Sequence, residues 1–171
     1  MQVGWKRTLF VLAIALLNIG CDQISKSIAK EQLPPGKEYS YLGDTFRLVY
    51  VENTGAFLSL GANLSDNARS LALKVFPLLL LTGLFIYLLR SKELNQWSII
   101  AFSFILGGGI SNIYDRLLYG GVIDFMNMGI GSLRTGIFNF ADVSIMIGLF
   151  MMIPYMFKKK EEPEVSESKV E

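Results

Sequence analysis

The sequence contains no histidine, a single cysteine and only 18% charged residues over its 171 positions. Without histidine the chain lacks the usual general base of enzymes near neutral pH and the commonest zinc ligand. One cysteine allows neither a disulfide within the chain nor a thiolate cage for a metal. Metallopeptidase and Cys–His chemistry are therefore disfavoured, and carboxylate, lysine, tyrosine and serine side chains remain for acid–base catalysis.

The chain also lacks a strong net charge, since 16 Lys and Arg residues stand against 15 Asp and Glu residues. Phosphate backbones attract proteins with broad basic surfaces, so no nucleic acid partner is expected. Apolar residues, in contrast, make up 51% of the sequence, and the mean hydropathy is +0.41. This apolar content exceeds that of an ordinary soluble domain and predicts a membrane protein.

Four apolar stretches come close to the roughly 20 helical residues that cross a bilayer. The first is short, but Asp22 and Lys26 lie four residues apart and pair on one helical face, so the helix continues through "DQISKSIAK". Pro34 and Pro35 then end it. The predicted spans are approximately 8–29, 71–89, 97–116 and 137–157.

Two further elements are predicted between the first two spans. The stretch "DTFRLVYVENTGAFLSL" is rich in Phe, Val and Tyr with partial alternation, which predicts a small β-cradle over about 37–62. The stretch "SDNARSLALKVF" predicts a helix that lies along the membrane interface before the second span. The fold class is thus an all-α polytopic membrane protein with four transmembrane helices, a small extracytoplasmic β-cradle and an interfacial helix.

Short cationic flanks predict the orientation of these spans. With four spans, both termini and the loop at 90–96 share a side, and that side carries Lys6, Arg7, Arg90, Lys92 and Lys158–Lys160. Under the positive-inside rule the termini are cytoplasmic, and 31–70 and 117–136 face outward. Residues 1–157 are expected to form a single membrane-embedded domain, followed by a charged cytoplasmic tail at 158–171.

Polar residues inside the spans are costly unless they face one another, so their spacing predicts a cluster. The third span carries Gly108, Asn112, Asp115 and Arg116, with glycines at 107–109 that allow another backbone to approach closely. The fourth carries Asn139 and Asp142 on one face. Together with Asp22, Lys26, Asn53 and Gly55, these side chains are expected to share hydrogen bonds.

The carboxylates of this cluster divide by their neighbours. Asp22 has Lys26 one turn away and Asp115 is followed by Arg116, which favours ionised structural roles. Asp124, predicted in the outer loop, and Asp142, predicted one and a half turns into the fourth span, have no nearby cation in the sequence. Two carboxylates that meet in space share one proton, as in an aspartic-protease dyad.

Spacing alone leaves plainer interpretations open. From spacing alone these interpretations are favoured over catalysis: Asp124 is a solvated turn residue, and Asp142 is an aspartate in the first turn of a helix, where the helix dipole favours it. Asn53, Asn112 and Asn139 fit a role in hydrogen bonds between helices, and the three glycines fit a packing groove.

The ordered blocks "DQISK", "VENTGAFLSL", "GGGISNIYDRL", "GGVIDFMNM" and "FNFADVSIMIG" resemble the lipoprotein signal peptidase (signal peptidase II) family. The resemblance runs from Asp22 to Asp142 and implies an aspartic endopeptidase that cuts prolipoproteins before a diacylglyceryl-modified cysteine. It implies Asp124 and Asp142 as the catalytic pair. The substrate-binding or supporting residues that it implies are Asp22, Lys26, Asn53, Gly55, Ala56, Gly108, Asn112, Asp115, Arg116, Asn139 and Ala141. Ser111 departs from the family's frequent glycine.

The same resemblance implies the surroundings of the enzyme. The expected partners are lipidated prolipoproteins, membrane phospholipid and cyclic-peptide inhibitors of the globomycin type, and the chain is expected to be a monomer. Neither a metal nor a cofactor is expected. The expected location is the bacterial cytoplasmic (inner) membrane, with the active site near the outer face.

Two other classes of protein are alternatives. The N-terminal stretch "MQVGWKRTLFVLAIALLNIGC" has the basic start, apolar run and Gly-Cys end of a lipoprotein precursor, although Asn18 replaces the usual Leu and three further spans follow. A small channel or carrier with a polar site at mid-membrane is the second, but the spans show no internal repeat. An intact N-terminus on the mature protein, and peptide-bond cleavage in micelles, discriminate these classes from an enzyme.

Overall fold

A computed structural model of the protein describes residues 3–55 and 64–156. Its elements divide into a helical bundle and a small sheet, because the apolar stretches form helices and the β-branched and aromatic stretches form strands. The elements are α1 (Trp5–Gln32), β1 (Glu38–Tyr41), β2 (Phe46–Asn53), α2 (Asp66–Ser70), a π-helical segment (Leu71–Val75), α3 (Phe76–Arg90), α4 (Gln96–Leu118), β3 (Val122–Ile130), β4 (Leu133–Arg134) and α5 (Phe140–Met156).

Within the described residues, three helices are long and apolar enough to cross a membrane: Trp5–Gln32, Asp66–Arg90 and Gln96–Leu118. The helix α5 is also apolar but shorter. The stretch at 66–75, predicted to be an interfacial helix, is continuous with α3 through the π-helical segment, and its position at an interface stays a prediction. The predicted tail at 158–171 lies outside the described residues.

The sheet is larger than predicted, because it contains β3 and β4 as well as the two strands of the predicted cradle. Its four strands are antiparallel in the order β1-β2-β3-β4, and Val51 of β2 lies opposite Asp124 of β3. The prediction of a loop around Asp124 is therefore wrong. Residues 124–127 are all buried, so the strand lacks the alternation of buried and exposed positions by which a strand is recognised.

Two apolar clusters hold these elements together. One joins α1, α3 and α4 through Val11, Leu88, Ile99 and Leu106. The other joins the C-terminal end of α1 to the sheet through Ala29, Leu33, Phe125 and Met126. The sheet is thereby fixed against the end of α1 that carries Asp22 and Lys26.

Three consecutive glycines make α4 the centre of the bundle, since each faces a different helix. A Cβ atom at Gly107 would meet the backbone of Ala15 in α1, and one at Gly108 would meet the carbonyl oxygen of Ala141 in α5. A Cβ atom at Gly109 would meet the side chain of Leu81 in α3. Glycine at these positions allows α4 to approach three neighbours closely.

Candidate active site

Asp124 and Asp142 come from different elements but line one cleft. Asp124 is buried in β3, with 3% of its surface exposed, and Asp142 lies in the first turn of α5. The side chain of Asn139 donates to Oδ1 of Asp124 at 2.6 Å, while its backbone N–H donates to Oδ2 of Asp142 at 3.1 Å. The cleft is lined by Asn53, Asn112, Arg116, Val122, Asp124, Ile137, Asn139 and Asp142.

Each of the four carboxylate oxygens accepts one N–H donor. For Asp124, the second oxygen accepts from Nδ2 of Asn53 at 2.9 Å. For Asp142, the other oxygen accepts from Nδ2 of Asn112 at 2.9 Å. All of these donors are neutral amides, and within residues 3–55 and 64–156 neither carboxylate forms an ion pair.

The N-terminal turn of α5 places Asp142. Asn139 precedes the helix, and its side chain accepts from the backbone N–H of Asp142 at 3.0 Å, while Asp142 accepts from the backbone N–H of Asn139. This reciprocal pair is a capping box. It starts the helix at Phe140, so Asp142 stands at the third helical position and not one and a half turns in, as the predicted span at 137–157 required.

Behind the cleft, Lys26 forms the centre of a buried network. Its ammonium lies 2.5 Å from Asp22 and 2.7 Å from Asp115, and only 3% of its side chain is exposed. The ion pair with Asp22 agrees with the spacing on α1. The cation that pairs with Asp115 is Lys26 and not the adjacent Arg116, so that part of the prediction is wrong: the packing of α1 on α4 brings Lys26 to Asp115.

Lys26 also determines how Asn112 is oriented. The ammonium donates to Oδ1 of Asn112 at 3.0 Å, and Nδ2 of Asn139 donates to the same oxygen at 3.2 Å. Because an ammonium has donors only, the amide oxygen of Asn112 must face Lys26 and its NH₂ group must face Asp142. The network thus reaches the carboxylate pair through one amide.

The remaining predicted residues lie around this centre. Arg116 donates to the carbonyl oxygens of Asn112 and Gly55, each at 3.2 Å. The backbone N–H of Gly55 donates to Oδ1 of Asn53, and that of Ala141 donates to Oδ1 of Asp22 at 2.8 Å. Gly108 contributes the close approach of α4 to α5. Ala56 lies outside the described residues.

Burial is the main cause of a shifted pKa at Asp124. Removal from water disfavours the charged carboxylate and raises its pKa to about 6, and the negative charge of Asp142 acts in the same direction. The hydrogen bonds from Asn53 and Asn139 oppose this change. A carboxyl group with this pKa exchanges a proton near neutral pH, as acid–base catalysis requires.

Two network residues were not predicted. The amide of Gln23 donates to Ser111 at 2.9 Å and to Asp115 at 2.8 Å, and the hydroxyl of Ser111 donates to Asp22 at 2.7 Å. The signal that could have identified Gln23 is its polar side chain next to Asp22 on an otherwise apolar helix. Over residues 3–55 and 64–156, no group of three or more His, Cys, Asp or Glu side chains is placed to hold a metal ion.

Comparison with known proteins gives consistent matches along the chain. Residues 14–158 match the family described as Signal peptidase (SPase) II. The chain is 36% identical to the lipoprotein signal peptidase of Borrelia hermsii, over 96% of this chain and 100% of that protein. It is 31% identical to the lipoprotein signal peptidase of Streptococcus pneumoniae, over 91% of this chain and 97% of that protein.

Solved structures share the fold. A bacterial membrane enzyme determined by the in meso method at 2.3 Å resolution matches with a TM-score of 0.78 and 24% identity, over 94% of both chains. A second such structure, at 1.9 Å resolution, matches with a TM-score of 0.74 and 24% identity, over 88% of this chain and 94% of that chain.

Proposed function

The chain belongs to the signal peptidase II family, and we propose that it is an aspartic endopeptidase that removes signal peptides from diacylglyceryl-modified prolipoproteins. Membership of this family implies a membrane protease. The observation that carries the finer assignment is the bridge made by Asn139, which bonds to both Asp124 and Asp142 in one cleft. The bond that we propose is cut lies directly before the lipidated cysteine.

In the proposed mechanism the two carboxyl groups hold one proton between them. The ionised group takes a proton from a water molecule as the water oxygen attacks the scissile carbonyl carbon, and the protonated group donates its proton to the carbonyl oxygen. The resulting diol collapses when a proton is transferred to the amide nitrogen and the C–N bond breaks. The products are the carboxylate of the signal peptide and the free amine of the lipidated cysteine.

The amide donors around the pair give this chemistry its geometry. Since each carboxylate oxygen already accepts one N–H, the carboxyl groups cannot rotate freely, and a proton between them has a defined position. We propose that Asn53, Asn112 and Asn139 hold the pair in place. Lys26, with Asp22 and Asp115, holds Asn112, and Arg116 binds a substrate carbonyl oxygen at the mouth of the cleft.

An apolar cavity next to Asp142 suits the membrane-embedded part of such a substrate. It lies between α3, α4 and α5, and Asn112, Arg116 and Asp142 border it together with leucine and isoleucine side chains. We propose that the apolar segment of the signal peptide lies here. The leucine and isoleucine residues that line it are Leu80, Leu81, Leu84, Ile105, Ile113 and Ile145.

The proposed topology has α5 as a fourth span, both termini in the cytoplasm of a bacterial inner membrane and the cleft near the outer face. The cationic flanks around 6–7 and 90–92 support this orientation under the positive-inside rule.

The packing of α1 argues against a cleaved lipoprotein precursor, because Val11 and Ala15 are buried in the bundle. The alternative of a channel or carrier accounts neither for the two acidic side chains in one cleft nor for membership of the signal peptidase II family.

A cleavage assay tests the proposal. The full chain in detergent micelles is incubated with a diacylglyceryl-modified precursor peptide, and mass spectrometry determines the new N-terminus. We expect a product that begins at the lipidated cysteine, and no product from the same peptide without lipid. An enzyme that cuts elsewhere, or that is inactive unless a metal is added, would contradict the proposal.

A further inference from the structure

A second cavity lies beside the cleft, and Arg116 borders both. It measures about 380 Å³, which is enough for two or three side chains. The helix that runs from 66 to 90 forms one wall, and the ends of β2 and α4 form the other. The residues of interest in its lining are Thr54, Asp66, Arg69, Ser70, Lys74 and Gly120.

This cavity, which we call the cationic cavity, carries more positive than negative charge. Of the residues that the structure describes, three cations, Arg69, Lys74 and Arg116, and one carboxylate, Asp66, line it. Arg69 pairs with Asp66 at 2.5 Å, while Arg116 donates to the carbonyl oxygens of Asn112 and Gly55. In the described part of the chain no carboxylate lies within 4.0 Å of the ammonium of Lys74, and the sequence at 56–63 contains no charged residue.

The cationic cavity adjoins the cleft that contains Asp124 and Asp142, because Arg116 borders both. Arg116 lines the apolar cavity, the cleft and the cationic cavity. The proposed placement puts the apolar segment of the substrate in the apolar cavity and the scissile bond in the cleft. On that placement, the cationic cavity is the space beside the cleft that is left for the segment after the lipidated cysteine.

We infer that the cationic cavity binds acidic side chains immediately after the lipidated cysteine, so that the enzyme prefers precursors with Asp or Glu there. This inference depends on the proposed function, since it names the part of the substrate that the neighbouring surface selects. Opposite charge near Lys74 and Arg69 stabilises the bound acidic segment, and a basic segment is repelled. Because the cavity is open to water, each pair contributes only modestly.

The test uses three diacylglyceryl-modified precursor peptides that differ only at the two residues after the cysteine, which are Asp-Asp, Ser-Ser or Lys-Lys. We expect kcat/KM for the Asp-Asp peptide to exceed that for the Lys-Lys peptide about fivefold, which corresponds to about 1 kcal/mol. Raising the salt from about 0.05 M to 0.5 M shrinks this ratio, because the charges are solvent-accessible.

Two charge reversals locate the preference. Lys74→Glu is expected to bring the ratio to one or below, because a cation that has no carboxylate partner among residues 3–55 and 64–156 becomes an anion. Lys37→Glu makes the same change of charge on the strand side of the molecule, outside the cavity, and is expected to keep the wild-type ratio. Lys74→Gln, which removes the charge without introducing repulsion, gives an intermediate ratio and guards against a folding defect in Lys74→Glu.

Each outcome decides the inference. Equal cleavage of the three peptides by the wild type overturns it, as does a preference that survives Lys74→Glu. If the Lys74 variants change the dependence of activity on anionic phospholipid but not the ratio between peptides, the cavity binds a lipid headgroup and the inference is wrong. Failure of the wild type to cut even the Ser-Ser peptide contradicts the proposed function itself.

Discussion

The two ends of α1 and α4 are stabilised in different ways. Around Ile99 the contacts are mainly apolar, with Val11 and Leu88 fully buried, and the buried Arg7 at this end donates to the backbone carbonyl of Ser91 at 2.6 Å and not to a carboxylate. Around Lys26 the same helices meet through ionised and amide groups, each paired with a specific partner. Apolar packing tolerates changes of similar volume, whereas a buried charge needs its partner. The polar end is therefore expected to tolerate substitution less than the apolar end does.

The sharpest test of this comparison changes the carboxylate pair itself. Asp124→Asn and Asp142→Asn keep the shape of each side chain but cannot shuttle a proton, so we expect each to lower kcat by about 10³-fold or more. Cleavage of a lipidated precursor is measured by separating precursor and product on a gel. Thermal unfolding in detergent is the control for folding. Full activity in either variant would show that the pair is not catalytic.

Removal of the central cation is expected to be the most damaging change for stability. Lys26→Met leaves Asp22 and Asp115 buried without their cation, which costs about 3–5 kcal/mol in comparable buried pairs. The matched change at the apolar end, Ile99→Val, is expected to cost only about 0.5–1.5 kcal/mol. Thermal unfolding of the two variants in the same detergent measures the difference, and equal losses would disprove the contrast between the two ends.

The pH dependence of stability sharpens the comparison further. The pKa of Asp124 is raised to about 6, so between about pH 4 and pH 6 the folded chain binds more protons than the unfolded chain, and stability falls as pH rises. At about 1.4 kcal/mol per pKa unit the loss is at most about 3 kcal/mol. Asp124→Asn is expected to flatten this slope in unfolding measured from pH 4 to pH 8. An unchanged slope would assign the titration to another group.

The smallest effect is expected at a neutral member of the network. Ser111→Ala removes the hydroxyl that donates to Asp22, but Asp22 keeps Lys26 and the backbone N–H of Ala141. The expected loss is about 1 kcal/mol, the usual net contribution of one hydrogen bond. Thermal unfolding beside Lys26→Met provides the measurement. A loss as large as that of Lys26→Met would mean that the hydroxyl, and not the charge, holds the network.

Sequence patterns accounted for much of this architecture because hydropathy and helical spacing are local. The long apolar helices and the ion pair between Asp22 and Lys26 follow directly from them. The start of α5 was also within reach, since "NFAD" carries the capping-box pattern of a polar residue followed three positions later by a carboxylate. The predicted span began at 137, three residues before α5, so the prediction missed this start.

Other features depend on how elements pack, which one sequence does not reveal. The pairing of Asp115 with Lys26 joins α1 to α4 across 89 positions of sequence, and it needs the close approach that Gly107 permits. The strand β3 is buried over most of its length and is flanked by glycines, so it resembled a loop. Long-range contacts, not local preference, determine both features.

The three glycines at 107–109 restrict how this protein opens. The α4 backbone lies close to α1, α3 and α5 within a single turn. Sliding or rotation of α4 would therefore produce clashes with all three helices, so α4 is fixed in position relative to them. The stretch Asp66–Val75 contains no buried side chain and includes a π-helical turn, a frequent site of local rearrangement. We propose that the stretch Asp66–Val75 moves when the proposed lipidated substrate enters, while α4 and the carboxyl groups of Asp124 and Asp142 stay in place.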